Sequence, residues 1–186
     1  MALTLKNAKH KAVTPDEFMA LPIPRAELIN GEVVEQTPAV FSHDELILII
    51  GNALRAHVKR HKLGRVAGGG SFRTGENQVR APDVSFLSNG DLLGENTEKY
   101  IRKSPTLAVE IISQNDTYQE VDDKADEFLG AGSKAVWIVN PRRKTIVVRT
   151  LDDETLYKVG QTISGGDVLP GLDLPVADVF EDEGTD

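Results

Sequence analysis

Leu107-Ala108-Val109-Glu110-Ile111-Ile112 is an almost unbroken apolar run, and its reading decides the architecture. A strand of this composition is covered on both faces, as in sheets with helices above and below. Thr117-Tyr118-Gln119-Glu120 follows it, a Thr with a Glu three residues on. That is a capping box, and Val121, Ala125, Phe128 and Leu129 recur on one face of the helix it opens. Gly130 and Gly132 end that helix, and Ala135-Val136-Trp137-Ile138-Val139 is a second buried strand. Strand, helix and strand over 106–139 are therefore expected to form a right-handed parallel crossover. Residues 145–150 return beside the second strand across a turn at Asn140-Pro141.

Upstream, Thr14-Pro15-Asp16-Glu17 is another capping box, predicting a short helix to about Leu21. Leu28-Ile29-Asn30-Gly31-Glu32-Val33-Val34 predicts a hairpin, because Asn-Gly supplies the positive φ angles of a type I′ turn. Ser42-His43-Asp44-Glu45 has the same capping signature, and Leu46, Ile49, Ile50, Ala53 and Leu54 predict a longer helix ending near Gly64. Short strands are expected at 65–67, 72–74 and 83–86, a polar surface loop over 87–105, and turn-rich chain beyond 152. The sum is a mixed α/β fold, a central mixed sheet flanked by helices. With no internal repeat and no linker, residues 1–186 are expected as one domain.

Composition bounds the chemistry. The chain has 186 residues and no cysteine, which excludes disulfides, thiolate metal sites and a cysteine nucleophile. No apolar stretch is long enough for a membrane span. The opening MALTLKNAKH lacks the apolar core of a signal peptide, so a cytoplasmic protein is expected. Twenty-nine acidic residues outnumber 21 basic ones, a net charge of −8 that counts against non-specific polyanion binding. Six of the acids, Asp173, Asp178, Glu181, Asp182, Glu183 and Asp186, fall in a C-terminal stretch with no Lys or Arg, expected as an acidic tail from about 173 to 186. Without it the balance is 23 acidic against 21 basic, and the body is close to neutral.

Glu110 stands in the middle of the doubly covered strand. A carboxylate there is costly unless paired, protonated or bound to a cation. The plain alternative is a structural ion pair. Asp83, after Pro82, starts another short strand. Pro-Asp alone is a common turn dipeptide, but two carboxylates from neighbouring strands can converge on a hard cation such as Mg²⁺ and so serve phosphoryl chemistry. Lys124 lies at the margin of its helix's buried face, from which its ammonium could reach back toward Glu110 or pair instead with Glu120 or Asp123.

These residues carry a resemblance. Ala26-Glu27-Leu28-Ile29-Asn30-Gly31-Glu32-Val33-Val34, His43, Pro82-Asp83-Val84-Ser85-Phe86 and Leu107-Ala108-Val109-Glu110-Ile111-Ile112-Ser113 are similar to the Uma2 family of restriction-endonuclease-like proteins. So are Lys124, Gly132, Val136-Trp137-Ile138-Val139-Asn140-Pro141 and Leu169-Pro170-Gly171-Leu172. The family belongs to the PD-(D/E)XK nuclease-like superfamily, and the resemblance implies that superfamily's core of a mixed sheet with flanking helices. It implies a metal site made by Asp83 and Glu110, with the backbone carbonyl of Ile111 as a further ligand. Where D/E-x-K would place lysine, this chain has Ile112; in Uma2-like sequences a lysine on the following helix takes that role, here Lys124. Glu27 and His43 also match family positions. Glu27 would add a supporting or second-metal carboxylate, and His43 would contact metal-bound water or phosphate. The plain alternatives are a hairpin surface charge and an ordinary first-turn residue.

The expectation is a Mg²⁺-dependent (or Mn²⁺-dependent) endonuclease acting on DNA, in a homodimer that supplies two sites. From a different class, the alternative is a nuclease-fold binding module with little catalysis, which the acidic surface and the displaced lysine favour. A small-molecule phosphoesterase finds no support in a substrate-pocket motif. Arg55, Lys59, Arg60, Lys62 and Arg65 are the expected phosphate-backbone contacts, or else cations complementing a helix C-terminus. His57 and His61 have metal-compatible spacing but no third ligand near them. Gly68-Gly69-Gly70-Ser71 lacks the ending of a phosphate loop.

Overall fold

Thr14 caps the first helix as its sequence predicts: its hydroxyl accepts from the Glu17 N–H while the Glu17 carboxylate accepts from the Thr14 N–H. The computed structural model describes residues 12–23, 25–38, 40–114 and 116–180. Helix α1 (Pro15–Met19) leads to the hairpin of β1 (Ala26–Ile29) and β2 (Glu32–Glu35). Asn30 and Gly31 turn it with φ of 51° and 78°, as a type I′ turn demands. Next come the long helix α2 (Phe41–His61) and strands β3 (Gly64–Gly68), β4 (Phe72–Gly75), β5 (Gln78–Arg80) and β6 (Val84–Ser88). After the single turn α3 (Asn89–Leu92), the crossover unit is β7 (Leu107–Ile111), α4 (Tyr118–Gly130) and β8 (Ala135–Asn140). The chain continues through β9 (Thr145–Arg149), β10 (Glu154–Lys158), β11 (Thr162–Ser164), β12 (Asp173–Pro175) and α5 (Ala177–Phe180).

A six-stranded mixed sheet, in the order β10-β9-β8-β7-β6-β3, is the centre. Only β7 and β8 run parallel, in the register Leu107↔Ala135 to Ile111↔Val139, as the crossover reading requires. Helix α2 covers one face, packing Leu46, Ile50, Leu54 and Val58 on Val84, Phe86, Leu107, Val109 and Trp137. Helix α4 covers the other, with Val121, Ala125, Phe128 and Leu129 on Ala108, Val136 and Ile138. Alternation along β7 thus serves two cores and sends Glu110 toward α4. A second, antiparallel sheet, β2-β1-β5-β4, has its own apolar cluster of Phe18, Leu28 and Val79. With Leu28 turned to that cluster, neighbouring Glu27 points the other way, toward α4.

The structure departs from the sequence reading at four places. Helix α2 starts at Phe41 with Val40 as its N-cap, and no side chain caps it. Ser42 therefore does not form the expected capping box; the Val40 carbonyl takes the His43 and Asp44 N–H groups instead. Strand β5 has a single apolar residue and gives no visible period. The region beyond 152 holds three strands, of which β10 is an exposed edge whose alternation is masked by polar residues. Finally, the stretch expected as a tail is folded up to Phe180, with Leu174, Val176 and Val179 buried in the main core. Glu181, Asp182, Glu183 and Asp186 lie outside the described residues. Among the described residues no helix is long and apolar enough to cross a membrane.

Phe128 is fully buried and fixes α4 against the sheet. Phe128→Ala should cost about 3–5 kcal/mol of stability, measured by urea unfolding. A loss below about 1 kcal/mol would show that α4 is not packed this way.

Candidate active site

Asp83 stands one residue before β6, and the pairing Val84↔Val109 continued by one position sets it opposite Glu110. Residues opposed in an antiparallel pair share a face. Both carboxylates therefore sit at the sheet edge where β7 and β8 end and where the first turn of α2 arrives. Glu110 is only 8% exposed. Its Oε2 accepts from the Lys124 ammonium at 2.9 Å, and its Oε1 is buried with no hydrogen-bond partner. Burial, opposed by Lys124 and reinforced by Asp83 and Glu27, pushes the Glu110 carboxyl up to about 8.

Lys124 reaches this point from the second turn of α4, whose capping box and apolar face fix its phase. Its Nζ lies 2.9 Å from Glu110 and 3.2 Å from Glu27. Burial alone would lower its pKa, but the charges of Glu110, Glu27 and Asp83 outweigh that and raise it. The ammonium stays charged.

Glu27, 3% exposed, is a junction and not a hairpin surface charge. Oε1 accepts from the Ala81 backbone N–H at 2.9 Å, and Oε2 accepts from Arg80 and Gln36, each at 3.1 Å. Burial would raise its pKa, yet Lys124, Arg80 and the Ala81 N–H together hold it below the usual carboxylate range. Arg80 faces Glu27 across the β1–β5 register, set by Leu28↔Val79, and its other side clasps Glu127 of α4 through Nε at 2.9 Å and Nη2 at 2.6 Å. Thr74 donates to the same carboxylate. A chain of alternating charge, Glu127–Arg80–Glu27–Lys124–Glu110, thus runs from one sheet to the other under α4.

His43 approaches from the opposite helix. Its Nε2 is 3.2 Å from the Ile111 carbonyl and 3.4 Å from Asp83 Oδ2. Asp83 Oδ2 also accepts from the Ile111 N–H at 2.7 Å. The bond to Asp83 is the main reason the His43 pKa is raised, against the opposing effect of burial.

Asp83, Glu110, Ile111, Lys124, Glu27 and His43 are thus brought together. Arg55, Lys59, Arg60, Lys62 and Arg65 are not. They cluster at the far end of α2 and the start of β3, and seventeen residues of helix from His43 to Arg60 span about 25 Å. His57 is buried with Nε2 at 3.1 Å from the Pro170 carbonyl, a packing role. Arg80 and Glu127 were missed from sequence. The usable signal for Glu127 was its i+3 spacing from Lys124 on one helix face; Arg80 was hidden in a three-residue strand.

The residues fit a divalent cation. Four carboxyls (Glu27, Asp83, Glu110, Glu127) face two fixed cations, Lys124 and Arg80. Fully ionised, that set carries an excess of two negative charges before His43 is counted. Glu110 Oε1 is a buried acceptor with nothing to accept. Among the described residues no three acidic or histidine side chains converge as a ready-made cage. The oxygens available to a cation are the Asp83 and Glu110 carboxyls and the Ile111 carbonyl, a sparse set of the kind Mg²⁺ would complete with water.

The mixed sheet, with helices on both faces and carboxylates at its edge, is the mixed α/β core expected from the sequence. The Uma2 family model, described as "Putative restriction endonuclease", matches residues 15–177, and the chain belongs to that family. A solved structure from Anabaena variabilis, titled a putative nuclease belonging to DUF820, superposes with a TM-score of 0.76 over 90% of this chain and 97% of that one, at 19% identity. It shares the fold. No curated protein matches the sequence.

Arg80→Met should destabilise the protein by about 1–3 kcal/mol at neutral pH, because it removes the charged donor that buried Glu27 and half-buried Glu127 share, leaving Glu27 with Lys124 alone as its cation. The pKa of Glu27 is depressed in the folded state, so its contribution is full above the ordinary carboxylate value and lost as pH falls through the depressed one. The gap between wild type and variant should therefore narrow below about pH 4 as Glu27 takes a proton. Urea titrations at pH 7 and pH 4 check this; a gap that widens with acid refutes it.

Proposed function

We propose that the protein is a Mg²⁺-dependent (or Mn²⁺-dependent) endonuclease that hydrolyses DNA phosphodiester bonds. The observation that carries this reading is the buried, unpartnered Glu110 Oε1, opposite Asp83 and held beside an ionised Lys124. Asp83, Glu110 and the Ile111 carbonyl would hold the cation. When bound, it supplies charge stabilisation at phosphorus and a water nucleophile at neutral pH.

The chain's own residues account for the rest. Lys124, fixed by Glu110 and Glu27, holds a positive charge where negative charge develops on the phosphoryl oxygens, and it needs no reorganisation to do so. Glu27 positions that ammonium, and Arg80 with the Ala81 N–H holds Glu27. His43 binds the Ile111 carbonyl and faces Asp83, so it orients two of the three cation ligands. A two-fold homodimer would supply the second site that cutting both strands needs.

One observation favours the second reading, an inert nuclease-fold module. The Lys124 ammonium is neutralised without any ion, by Glu110 at 2.9 Å and Glu27 at 3.2 Å. Calorimetry separates the two. Because the Glu110 pKa is raised to about 8, a cation binding near pH 7 must displace its proton. Mn²⁺ binding should release close to one proton, detected by titration in buffers of different ionisation enthalpy, and its affinity should rise with pH until about 8. No heat with Mg²⁺ or Mn²⁺ at any pH would leave only the inert module.

Cleavage itself is tested with plasmid DNA. Asp83→Ala and Glu110→Ala should each lower the cleavage rate at least about 100-fold, and undiminished cutting by either variant would remove the assignment.

A further inference from the structure

The turn between β8 and β9 carries Arg142, Arg143 and Lys144, all exposed. Lys158 at the end of β10 pairs with Thr145 and lines the same shallow depression. Strand direction puts these cations beside the site. Strands β7 and β8 are parallel and in register from Leu107↔Ala135 to Ile111↔Val139, so Glu110 and Asn140 leave the sheet at one edge. Strand β9 returns antiparallel from Asn140↔Thr145, and Lys158 on β10 is level with it. At about 4.8 Å per strand, β9 and β10 lie about 10 and 14 Å from β7 along that edge.

The charge there has no internal use. None of the four cationic side chains has an ion pair or a side-chain hydrogen bond among the described residues, and residues 140–151 contain no Asp or Glu. By contrast, Arg149 at the other end of β9 is tied to Asp122, Asp126 and Glu154. In a chain of net charge −8, four unpaired cations along one edge form a local positive stretch in an otherwise acidic protein.

We propose that Arg142, Arg143, Lys144 and Lys158 are the phosphate-backbone track for the DNA strand that enters the Asp83–Glu110 site. A DNA strand carries one phosphate per about 3.4 Å of axis, so these cations meet phosphates about three or four nucleotides from the site. This rests on the nuclease reading of that site. It assigns the contact to the β8–β9 turn and not to the basic end of α2, which lies at the opposite sheet edge.

The test is equilibrium binding of a labelled 20-base-pair duplex to the full chain in EDTA, over a range of NaCl concentrations. Glutamine is the replacement of choice, because Lys144 has φ of 50° and Gln keeps the same Cβ and stem. Arg142→Gln/Arg143→Gln/Lys144→Gln should weaken binding at least about tenfold at 0.1 M salt and reduce the salt slope by about 2 to 3. Arg55→Gln/Lys59→Gln/Arg60→Gln should stay within about twofold of wild type. Unchanged binding and slope in the turn variant, or a loss confined to the α2 variant, overturns the proposal. A parallel Mn²⁺ cleavage assay keeps the two readings apart. Turn-dependent binding without cleavage sinks the hydrolase and keeps the track; cleavage with turn-independent binding sinks the track and keeps the hydrolase.

Discussion

The burial of the Lys124 ammonium between Glu110 and Glu27 is the constraint on which the rest depends. An ion pair taken out of water repays its desolvation only when its geometry is good and its remaining lone pairs are satisfied. Glu27 meets that condition, with the Ala81 N–H, Gln36 and Arg80 filling its acceptor sites. Glu110 does not, since one oxygen is left bare. The site is thus saturated on the side of the small sheet and unfinished at the edge of the large one.

That asymmetry explains the otherwise wasteful chemistry at the junction. Apolar replacements for buried ion pairs are often neutral or stabilising, so stability gives no reason to keep three glutamates and two cations beneath α4. A chain of alternating charge does, however, fix the direction of each group. Arg80 fixes Glu27, Glu27 fixes Lys124, and Lys124 fixes one Glu110 oxygen while leaving the other without a partner. The cost falls on the folding of two sheets around one helix, and the product is a preorganised edge.

Much of this was legible in the sequence, for identifiable reasons. The run from Leu107 to Ile112, with a capping box behind it, specified a parallel crossover because continuous apolar strands and Thr-x-x-Glu caps act locally. The out-of-place polarity of Glu110 marked the site for the same reason. The family resemblance supplied Glu27 and His43, which no periodicity singles out. Arg80 was invisible because β5 is three residues long and takes its structure from β1 and β4 alongside it. The α2 start was misplaced because Ser42 satisfies a local rule that a tertiary contact overrides: His43 is held by Ile111 and Asp83, and the helix begins where that contact puts it. The basic run at the end of α2 could not be placed relative to the carboxylates, because sequence gives charge without direction. Only the parallel register of β7 and β8 shows which end of the sheet faces the carboxylates.

Direction also resolves the net charge of −8. Asp122 and Asp126 are turned toward Arg149, and Glu127 toward Arg80; these acids neutralise cations within the fold. Asp83 and Glu110 repel one another when both are ionised, which is part of why the Glu110 pKa is raised. With its carboxyl raised to about 8, Glu110 carries little charge near pH 7, while the nearby Arg142, Arg143, Lys144 and Lys158 have no ion-pair partner among the described residues. The field at contact distance is set by charges within about 10 Å, the screening length at 0.1 M salt, so the local arrangement and not the total charge decides the sign at this edge.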